Sequence, residues 1–421
     1  AGRNPSIPLT ICVTARKTAR PCATDIRATG GFIIRFGKIV AAIMLWVLTL
    51  AALAVVFVPA FLDRIYYEGP PTGHYDGAHF ENPDGTIEFP TPPGERRGNL
   101  FWRFILGRQD RPPWPEHIAV TPTKPPARVS APQAMRATWV GHASVLIQAG
   151  GLNILTDPQW SDTAGPLGFG PRRVAQPGVR FEDLPKIDIV VVSHNHYDHM
   201  DLPTLKRLWD RDRPLIVTSL GNDTILRGVG IEAQALDWGG VAWRGGAKVH
   251  VVRNHHWSSR WGRDRNRALW SAFLIETRAG NIFFAGDTGA GDLKWTDEAR
   301  TYGPIRLALI PIGAFRFYPG QMQTSSHIGP EQAVEVYRRL GAAQAIPIHW
   351  GTFRLSNEAY NTPPQMLGIY ARCAGLKDDA FRPRRIGEEL DVIAAPLPTI
   401  GPDAKALADC KPGSAALNAL K

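Results

Sequence analysis

A nine-residue stretch near the middle of the chain limits what the rest of the sequence can fold into. Residues 193–201 contain three histidines and two aspartates, although the whole chain of 421 residues has only 12 histidines. The stretch directly follows residues 187–192, a short, β-branched apolar run that is typical of a buried parallel strand. The cluster is therefore predicted at the carboxyl end of a strand, where open α/β folds place their functional side chains.

The spacing within this cluster favours a metal site. Side chains two positions apart in an extended segment point the same way, so His194 and His196 can bind one ion together. Asp198 and His199 follow just past the predicted bend and can turn towards a second ion. The alternative is a polar loop that holds three histidines within six positions by chance, which the low number of histidines makes improbable.

Composition and charge limit the classes of protein to which the chain can belong. With 44% hydrophobic residues, a chain of this length can build one large core with extensions. The formal net charge is +10, but residues 1–38 carry seven basic side chains and one acid, which account for +6 of it. No stripe of basic and aromatic residues occurs in the remaining sequence, so a nucleic-acid partner is not expected.

Residues 39–62 form an uncharged apolar run of 24 residues. As a helix this run would be about 36 Å long and would cross a bilayer. A cleaved signal peptide and a buried core helix are the alternatives, but the run is long for a signal peptide and lacks a clear cleavage site. The positive-inside rule keeps the basic tail, residues 1–38, in the cytoplasm and places the rest on the periplasmic side of the inner membrane. There, Cys373 and Cys410 could form a disulfide, a point that the sequence leaves open.

Four further motifs accompany the cluster, which itself has the pattern His-x-His-x-Asp-His. They occur at residues 138–144, 155–158, 284–289 and 348–353. In matching order and spacing, the five motifs resemble the metallo-β-lactamase superfamily, and within it the branch containing N-acylphosphatidylethanolamine-hydrolysing phospholipase D. The resemblance covers about residues 70–395. It implies an α/β fold, a four-layer αββα sandwich, which is here preceded by a single transmembrane helix.

The remaining sequence divides into three segments. Residues 63–135 hold thirteen of the 36 prolines and are predicted to form an ordered, Pro/Gly-rich extension. Within it, residues 101–108 are an amphipathic patch that could rest on a membrane surface, although packing on the core is favoured. The metallo-hydrolase domain is expected over residues 136–400, followed by a mobile tail at residues 401–421.

The resemblance implies a site for two zinc ions that share one carboxylate. The ligands of the first ion would be His194, His196, His256 and Asp287, and those of the second would be Asp198, His199, His349 and Asp287. Adjacent residues of an extended segment face opposite ways, so only one of the pair His255 and His256 can face the site. The family pattern selects His256, and His255 stays the alternative. Nitrogen and oxygen ligands without thiolate suit zinc but also allow iron or manganese.

Other residues are given roles around the metals. His327 and the bridging Asp287 would be catalytic, with His327 stabilising the transition state or positioning the substrate; a histidine beside a helix start is the alternative for His327. His142 and Asp157 are expected to orient ligands. Arg173, with its neighbour Arg172, could meet a phosphate group or be solvated. Aromatic residues near the motifs are candidates for an apolar substrate wall, although aromatics are more often core residues. They are Trp257, Trp261, Trp270, Phe315, Phe317 and Tyr318.

The function implied by the resemblance is a zinc-dependent phosphodiesterase anchored in the membrane. A hydroxide bridging the two ions would attack the phosphorus of an N-acylphosphatidylethanolamine-like phospholipid. One alternative is a metallo-lactonase or ester hydrolase of the cell envelope with the same fold, acting on another small ester. A non-catalytic ligand-binding envelope protein is less favoured, because such a protein would not need all seven metal ligands. The membrane is an expected partner, and a homodimer is a further expectation.

Overall fold

The computed structural model describes residues 26–87, 111–317, 324–396, 404–411 and 413–420. The amphipathic patch at residues 101–108 and the aromatic Tyr318 lie outside the described residues. The chain separates into two compact units, Ala1–Phe61 and Leu62–Lys421.

The described part of the first unit belongs to helix α1, which spans Ile26–Leu62. Its stretch Ile34–Val58 is long and apolar enough to cross a membrane, and none of it is buried within the protein. This stretch is the candidate transmembrane helix that the uncharged run predicts, and a signal sequence would have the same length and composition. The helix begins well before residue 39, because helical backbone continues through the basic segment that precedes the apolar run.

The strands of the second unit form two sheets. In chain order, the strands of the first sheet are β1 (Met135–Gly141), β2 (Ser144–Ala149), β3 (Leu152–Thr156), β4 (Ile189–Val192), β5 (Leu215–Ser219), β6 (Gln234–Leu236) and β13 (Glu389–Asp391). Those of the second sheet are β7 (Val241–Arg244), β8 (Ala247–Val252), β9 (Ala272–Thr277), β10 (Gly280–Phe284), β11 (Ile305–Pro311) and β12 (Gln344–Ile348). The spatial orders are β13-β1-β2-β3-β4-β5-β6 and β12-β11-β10-β9-β8-β7.

Both sheets are mixed. Strands β3 to β6 pair in parallel, as do β10 to β12, whereas the remaining pairs are antiparallel. Strand β4 is buried along its whole length between β3 and β5, as its uninterrupted β-branched run predicts. Apolar side chains on the facing sides of the two sheets, such as Val191 and Phe284, share one core.

Helices cover the outer faces of both sheets. Two helices lie on the side of the first sheet, α2 (Leu202–Asp212) and α3 (Asn222–Arg227). Three lie on the side of the second, α4 (Lys294–Arg300), α5 (Pro330–Leu340) and α6 (Thr362–Cys373). Helix α2 buries Leu205 and Leu208 against the outer face of β4, while α5 and α6 bury their apolar faces against β10 and β11. The resulting αββα layers confirm the predicted fold class.

The segments before and after the layers are tied to them. In the extension, Tyr75 and Phe80 are buried against Trp270. At the other end, the described residues contain two short helices, α7 (Ala404–Asp409) and α8 (Ala415–Asn418). A disulfide joins Cys373 and Cys410, whose Cα atoms are 6.1 Å apart. The domain limits near residues 136 and 400 and the mobility of the tail stay predictions.

Candidate metal centre

The five motifs meet at one edge of the sandwich. Strands β1 and β3 run in the same direction because each is antiparallel to β2, and β8 and β10 do so because each is antiparallel to β9. The carboxyl ends of these strands, together with those of β4 and β12, carry the motif side chains. Three motif residues that follow their strands directly turn sharply with positive φ, which costs a non-glycine residue about 1 kcal/mol or more. They are His142 (52°), Asp157 (30°) and His349 (63°).

The first group of side chains comprises His194, His196, His256 and Asp287. Their potential ligand atoms all lie within 4.8 Å of one another. His194 Nε2 is 2.7 Å from His196 Nδ1, and His256 Nε2 is 3.9 Å from Asp287 Oδ2. The two histidines that share a face of the extended segment therefore converge with a third from the other sheet.

The second group lies beside the first. His142, Asp198, His199 and His349 likewise have their ligand atoms within 4.8 Å of one another. Asp287 Oδ2 is 3.0 Å from both His199 Nε2 and His349 Nε2, so this carboxylate borders both groups. The structure thus brings all seven predicted ligands together and adds His142 to them.

The donor atoms of both groups fit metal ions. Several of these buried atoms have no hydrogen-bond partner among the residues that the structure describes, an arrangement that costs about 1–3 kcal/mol for each atom unless something compensates. A cation placed among them would satisfy these atoms, and imidazole nitrogens with carboxylate oxygens are ligands that zinc accepts. These atoms are His196 Nε2, His256 Nε2 and Asp287 Oδ1.

The electrostatics of the first group suit a cation as well. Burial, with neighbouring histidines, holds the pKa of His194 well below its usual range, and burial lowers that of His196 to about 4. Burial likewise holds the pKa of His256 well below its usual range. These imidazoles are therefore neutral at pH 7, which is the form that binds a metal ion.

The second group holds protons where a cation would lie. Burial opposes protonation of His349, but the nearby Asp287 and Asp198 raise its pKa to about 9. Burial likewise opposes protonation of His199, and the same two carboxylates nevertheless raise its pKa well above the usual value. Metal binding must displace these protons, since only neutral imidazole coordinates.

A buried network orients the ligands. Asp157 accepts hydrogen bonds from Ser193 N (2.8 Å) and Ser193 Oγ (2.6 Å), and its Oδ2 lies 2.6 Å from His199 Nδ1. On the other side, His142 Nε2 lies 3.0 Å from Asp198 Oδ2. Each of these partners fixes the direction of a ligand, the role expected for His142 and Asp157.

The structure separates the two adjacent histidines. His256 belongs to the first group, and its Nδ1 is 2.9 Å from the carbonyl oxygen of Ser326. His255 instead turns to Asp84, with 2.8 Å between its Nδ1 and Asp84 Oδ1. The alternation argument left both open, and the geometry favours His256 as the ligand.

Asn82, which no sequence pattern singles out, supports His256. Its Nδ2 donates to the carbonyl oxygen of His256 (2.8 Å), and its Oδ1 accepts from His256 N (3.2 Å). The same oxygen accepts from Trp270 Nε1 at 3.1 Å.

A second unexpected support is Arg260, whose Nη1 donates to the carbonyl oxygens of Asn195 and Met200 at 2.9 and 3.0 Å. Arg260 thereby holds both ends of the histidine-rich loop.

His327 lies at the border of the two groups. Its Nδ1 is 3.8 Å from Asp287 Oδ2 and has no hydrogen-bond partner in the described part of the chain. Burial lowers the pKa of His327 to about 4, so the ring is neutral at pH 7. It precedes helix α5 and is held by Thr324, whose Oγ1 accepts from His327 N.

Of the residues predicted to contact substrate, Arg173 holds backbone and Trp257 lies beside the metal groups. Arg173 is buried and donates hydrogen bonds to the carbonyl oxygens of Gln159, Ser161 and Ala175, so its guanidinium supports the backbone instead of meeting a phosphate. Trp257 lies beside the site, with its ring centroid 4.3 Å from that of His196.

Two of the aromatic residues proposed for a substrate wall are core residues. Trp270 and Phe315 are fully buried in hydrophobic clusters. In contrast, Trp261 and Phe317 are 36% and 39% exposed. Hydrophobic character alone could not distinguish these two environments from sequence.

Comparisons with known proteins agree with this geometry. The family described as "Beta-lactamase superfamily domain" matches residues 152–350. N-acyl-phosphatidylethanolamine-hydrolyzing phospholipase D 1 of Caenorhabditis elegans is 32% identical over 333 residues, which are 74% of this chain and 92% of that protein. The mitochondrial N-acyl-phosphatidylethanolamine-hydrolyzing phospholipase D of Saccharomyces cerevisiae is 34% identical over 261 residues, 58% of this chain and 54% of that protein.

A solved structure shows the same fold. The possible metal-dependent hydrolase of Veillonella parvula superposes with a TM-score of 0.50 at 14% identity, covering 61% of this chain and 99% of that one. The αββα layers, the converging histidines and aspartates and the long match to the Caenorhabditis protein agree with one another. The chain belongs to the metallo-β-lactamase superfamily and, within it, resembles the N-acylphosphatidylethanolamine-hydrolysing phospholipases D.

Proposed function

We propose that this protein is a membrane-anchored, binuclear zinc phosphodiesterase of the phospholipase D type that cleaves N-acylphosphatidylethanolamine-like phospholipids. The observation that carries the proposal is the pair of histidine and aspartate groups bordered by Asp287. The fold and the relatives support a metal-dependent hydrolase. The substrate class is carried over from the two phospholipases D named above.

Each group would hold one ion. His194, His196 and His256 would bind the first ion, and Asp198, His199 and His349 the second, with Asp287 shared between them. Bound there, zinc would lower the pKa of water from ~15.7 towards ~7 and neutralise charge that develops on phosphoryl oxygens. Carboxylates suit the shared position because each has two oxygens.

The protein's own groups supply orientation and proton control. Asp157, itself held by Ser193, holds His199, while His142 holds Asp198, so the ligands need little rearrangement to bind. The ring of His327 is neutral and close to Asp287, and its Nδ1 has no hydrogen-bond partner among the described residues, so the ring can donate to or accept from a phosphoryl or leaving-group oxygen.

The location of the protein is proposed from two features. The apolar stretch Ile34–Val58 supports a membrane anchor with the basic tail in the cytoplasm. The disulfide between Cys373 and Cys410 supports an oxidising compartment for the second unit, such as the periplasm. A lipid-cleaving unit on that side would meet phospholipids of the inner membrane. The predicted homodimer stays a prediction.

The test combines metal content with turnover. The full chain is purified in detergent, its bound metals are quantified, and it is assayed on N-acylphosphatidylethanolamine in mixed micelles. His194→Ala removes one ligand, and His117→Ala is the matched control because His117 is exposed and outside both groups. We expect two zinc ions and lipid cleavage in the parent and control, and loss of both cleavage and at least one ion in His194→Ala.

Two other outcomes would change the conclusion. Two zinc ions with no lipid cleavage, but with hydrolysis of lactones or carboxylic esters, would replace the phosphodiesterase by the alternative hydrolase. A well-folded parent protein that binds no metal would refute the catalytic proposal itself.

A further inference from the structure

A narrow loop at residues 162–173 displays two large apolar side chains to solvent. Its two arms are joined by a bridge between Thr163 and Arg172 and by a hydrogen bond from Ala164 N to the carbonyl oxygen of Pro171 (2.9 Å). At the tip, Leu167 is 90% exposed and Phe169 is 74% exposed. We call this segment the 162–173 loop.

The base of this loop is firmly held. Asp201 accepts hydrogen bonds from Ser161 N (3.0 Å) and Ser161 Oγ (2.8 Å), and the buried Arg173 donates to the carbonyl oxygen of Ser161. At the tip, Phe169 N donates to the carbonyl oxygen of Pro166 at 2.9 Å. The backbone that carries Leu167 and Phe169 is therefore already held in place. A partner that covers these side chains causes little further loss of backbone conformational entropy.

The loop forms one wall of a cavity of about 1160 Å³. Outside helix α1, seven large hydrophobic side chains of the described residues are notably exposed, and four of them line this cavity: Ile65, Leu167, Val229 and Trp261. Phe169, a fifth, is two residues from Leu167. Exposed apolar residues that gather in one place mark an interaction surface, whereas scattered ones need no explanation.

The same wall is positively charged. Arg64, Arg172 and Arg260 line the cavity, and the guanidinium of Arg64 lies 5.7 Å from the ring centroid of Trp261. The acids there are Asp162 and Asp201, and Asp201 is buried in the hydrogen bonds that hold the loop. Apolar side chains beside a surplus of arginines match the acyl region and the negative headgroups of an anionic bilayer.

Chain connectivity argues for the same partner. Arg64 and Ile65 line the cavity, and Arg64 lies two residues beyond Leu62, where helix α1 ends. Two residues span at most about 7 Å, so a bilayer that holds the helix has its surface close to this wall. A soluble protein partner has no comparable link to this position.

We infer that the 162–173 loop and the adjoining cavity mouth are the surface that the protein lays on an anionic bilayer, with Leu167 and Phe169 inserted among the lipids. The inference rests on the proposed membrane anchor and adds a second, peripheral contact to it. Tyr197 and Met200 lie in the same cavity wall, so the cavity borders the loop that carries four of the predicted metal ligands.

The test reports lipid contact directly and needs no turnover. In the full chain, Cys12 and Cys22 are replaced by serine, and Leu167→Cys is labelled with a bimane fluorophore. The protein is reconstituted in vesicles of phosphatidylcholine and phosphatidylglycerol, with or without lipids that carry a nitroxide on the acyl chain. Trp243→Cys is the matched control, because Trp243 is 64% exposed but does not line the cavity.

We expect the nitroxide lipids to quench the label at position 167 by at least half, and to leave the label at position 243 nearly unchanged. Quenching at position 167 should weaken in vesicles of phosphatidylcholine alone. Equal quenching at both positions, or no quenching at position 167, would overturn the inference. A label at position 167 whose emission shifts to the blue but is not quenched by the nitroxide lipids would also overturn it, and would point to a second copy of the chain as the partner. Vesicle flotation reports the anchor separately, and absence of lipid cleavage would count against the proposed function without affecting the quenching.

Discussion

Replacing Asn82 tests whether the extension is part of the metal centre. Asn82 makes three hydrogen bonds, two to the backbone of His256 and one from Trp270 Nε1. A hydrogen bond of this kind contributes about 1 kcal/mol net, so Asn82→Ala removes about 3 kcal/mol. The two bonds to His256 account for about 2 kcal/mol of this, so if they hold His256 in its binding position the affinity for the first zinc ion should fall about thirtyfold, since each 1.4 kcal/mol is a factor of ten.

The assay is a competition for zinc between the full chain and a chelating dye. Cobalt substitution gives a second readout, because the visible spectrum of bound cobalt reports the ligand geometry. Asn82→Asp keeps the acceptor oxygen and loses the donor, so its effect should be intermediate. Asp63→Ala is the matched control, since it breaks the ion pair between Asp63 and Arg267 in the same segment without touching His256.

The result that would refute this reasoning is specific. An Asn82→Ala protein with a lowered melting temperature but parental zinc affinity and cobalt spectrum would show that Asn82 serves folding alone. A parallel loss of zinc affinity in Asp63→Ala would also refute it, because the effect would then be general loosening of the extension.

Four further predictions concern the site and the fold. Asp157→Asn keeps the shape of the residue but removes the charge beside His199, so we expect the second ion to be lost first, as measured by metal content per chain. Removing metal with a chelator should abolish hydrolysis, and zinc should restore it. The pKa of His349 is raised to about 9, so zinc that re-binds at pH 7 should displace its proton. Calorimetry in different buffers would detect the released protons, and the release should shrink above pH 9. Replacing Cys373 and Cys410 by serine opens a link across 37 positions, so the free energy of unfolding should fall by about 3–4 kcal/mol with metal content unchanged; an unchanged melting temperature would contradict this.

Local patterns predicted the position of the candidate site, whereas the αββα fold was implied by the resemblance to a known family. The apolar run before the cluster is β-branched and nearly unbroken, and in the structure its last four residues form β4, which is buried throughout. In the structure the five motifs lie at the carboxyl ends of β1, β3, β4, β10 and β12, and strands of one direction bring such ends together. These inferences needed only neighbours in sequence and the geometry of a sheet.

The supporting residues could not be predicted in the same way. Asn82 lies 174 positions from His256, in a proline-rich stretch whose composition predicts turns and nothing about a partner. Arg260 acts through backbone carbonyl oxygens, which have no sequence signature. Trp270 shows the opposite error, since it was a candidate for the substrate wall and is a core residue. An aromatic side chain near a motif looks the same in sequence whether it lines a pocket or fills the core.

The pairing of β13 with β1 has a consequence for biosynthesis. Arg136 in β1 and Asp391 in β13 are 255 positions apart, and their side chains form a two-pronged ion pair at 2.8 and 3.1 Å. Until residue 391 has emerged during synthesis or export, one edge of β1 has unpaired backbone groups, which can pair with other chains. A chain that terminates before β13 is therefore an aggregation hazard, and not merely a shorter enzyme. His142 directly follows β1, so the last strand to be made also braces the strand that positions one side chain of the metal groups.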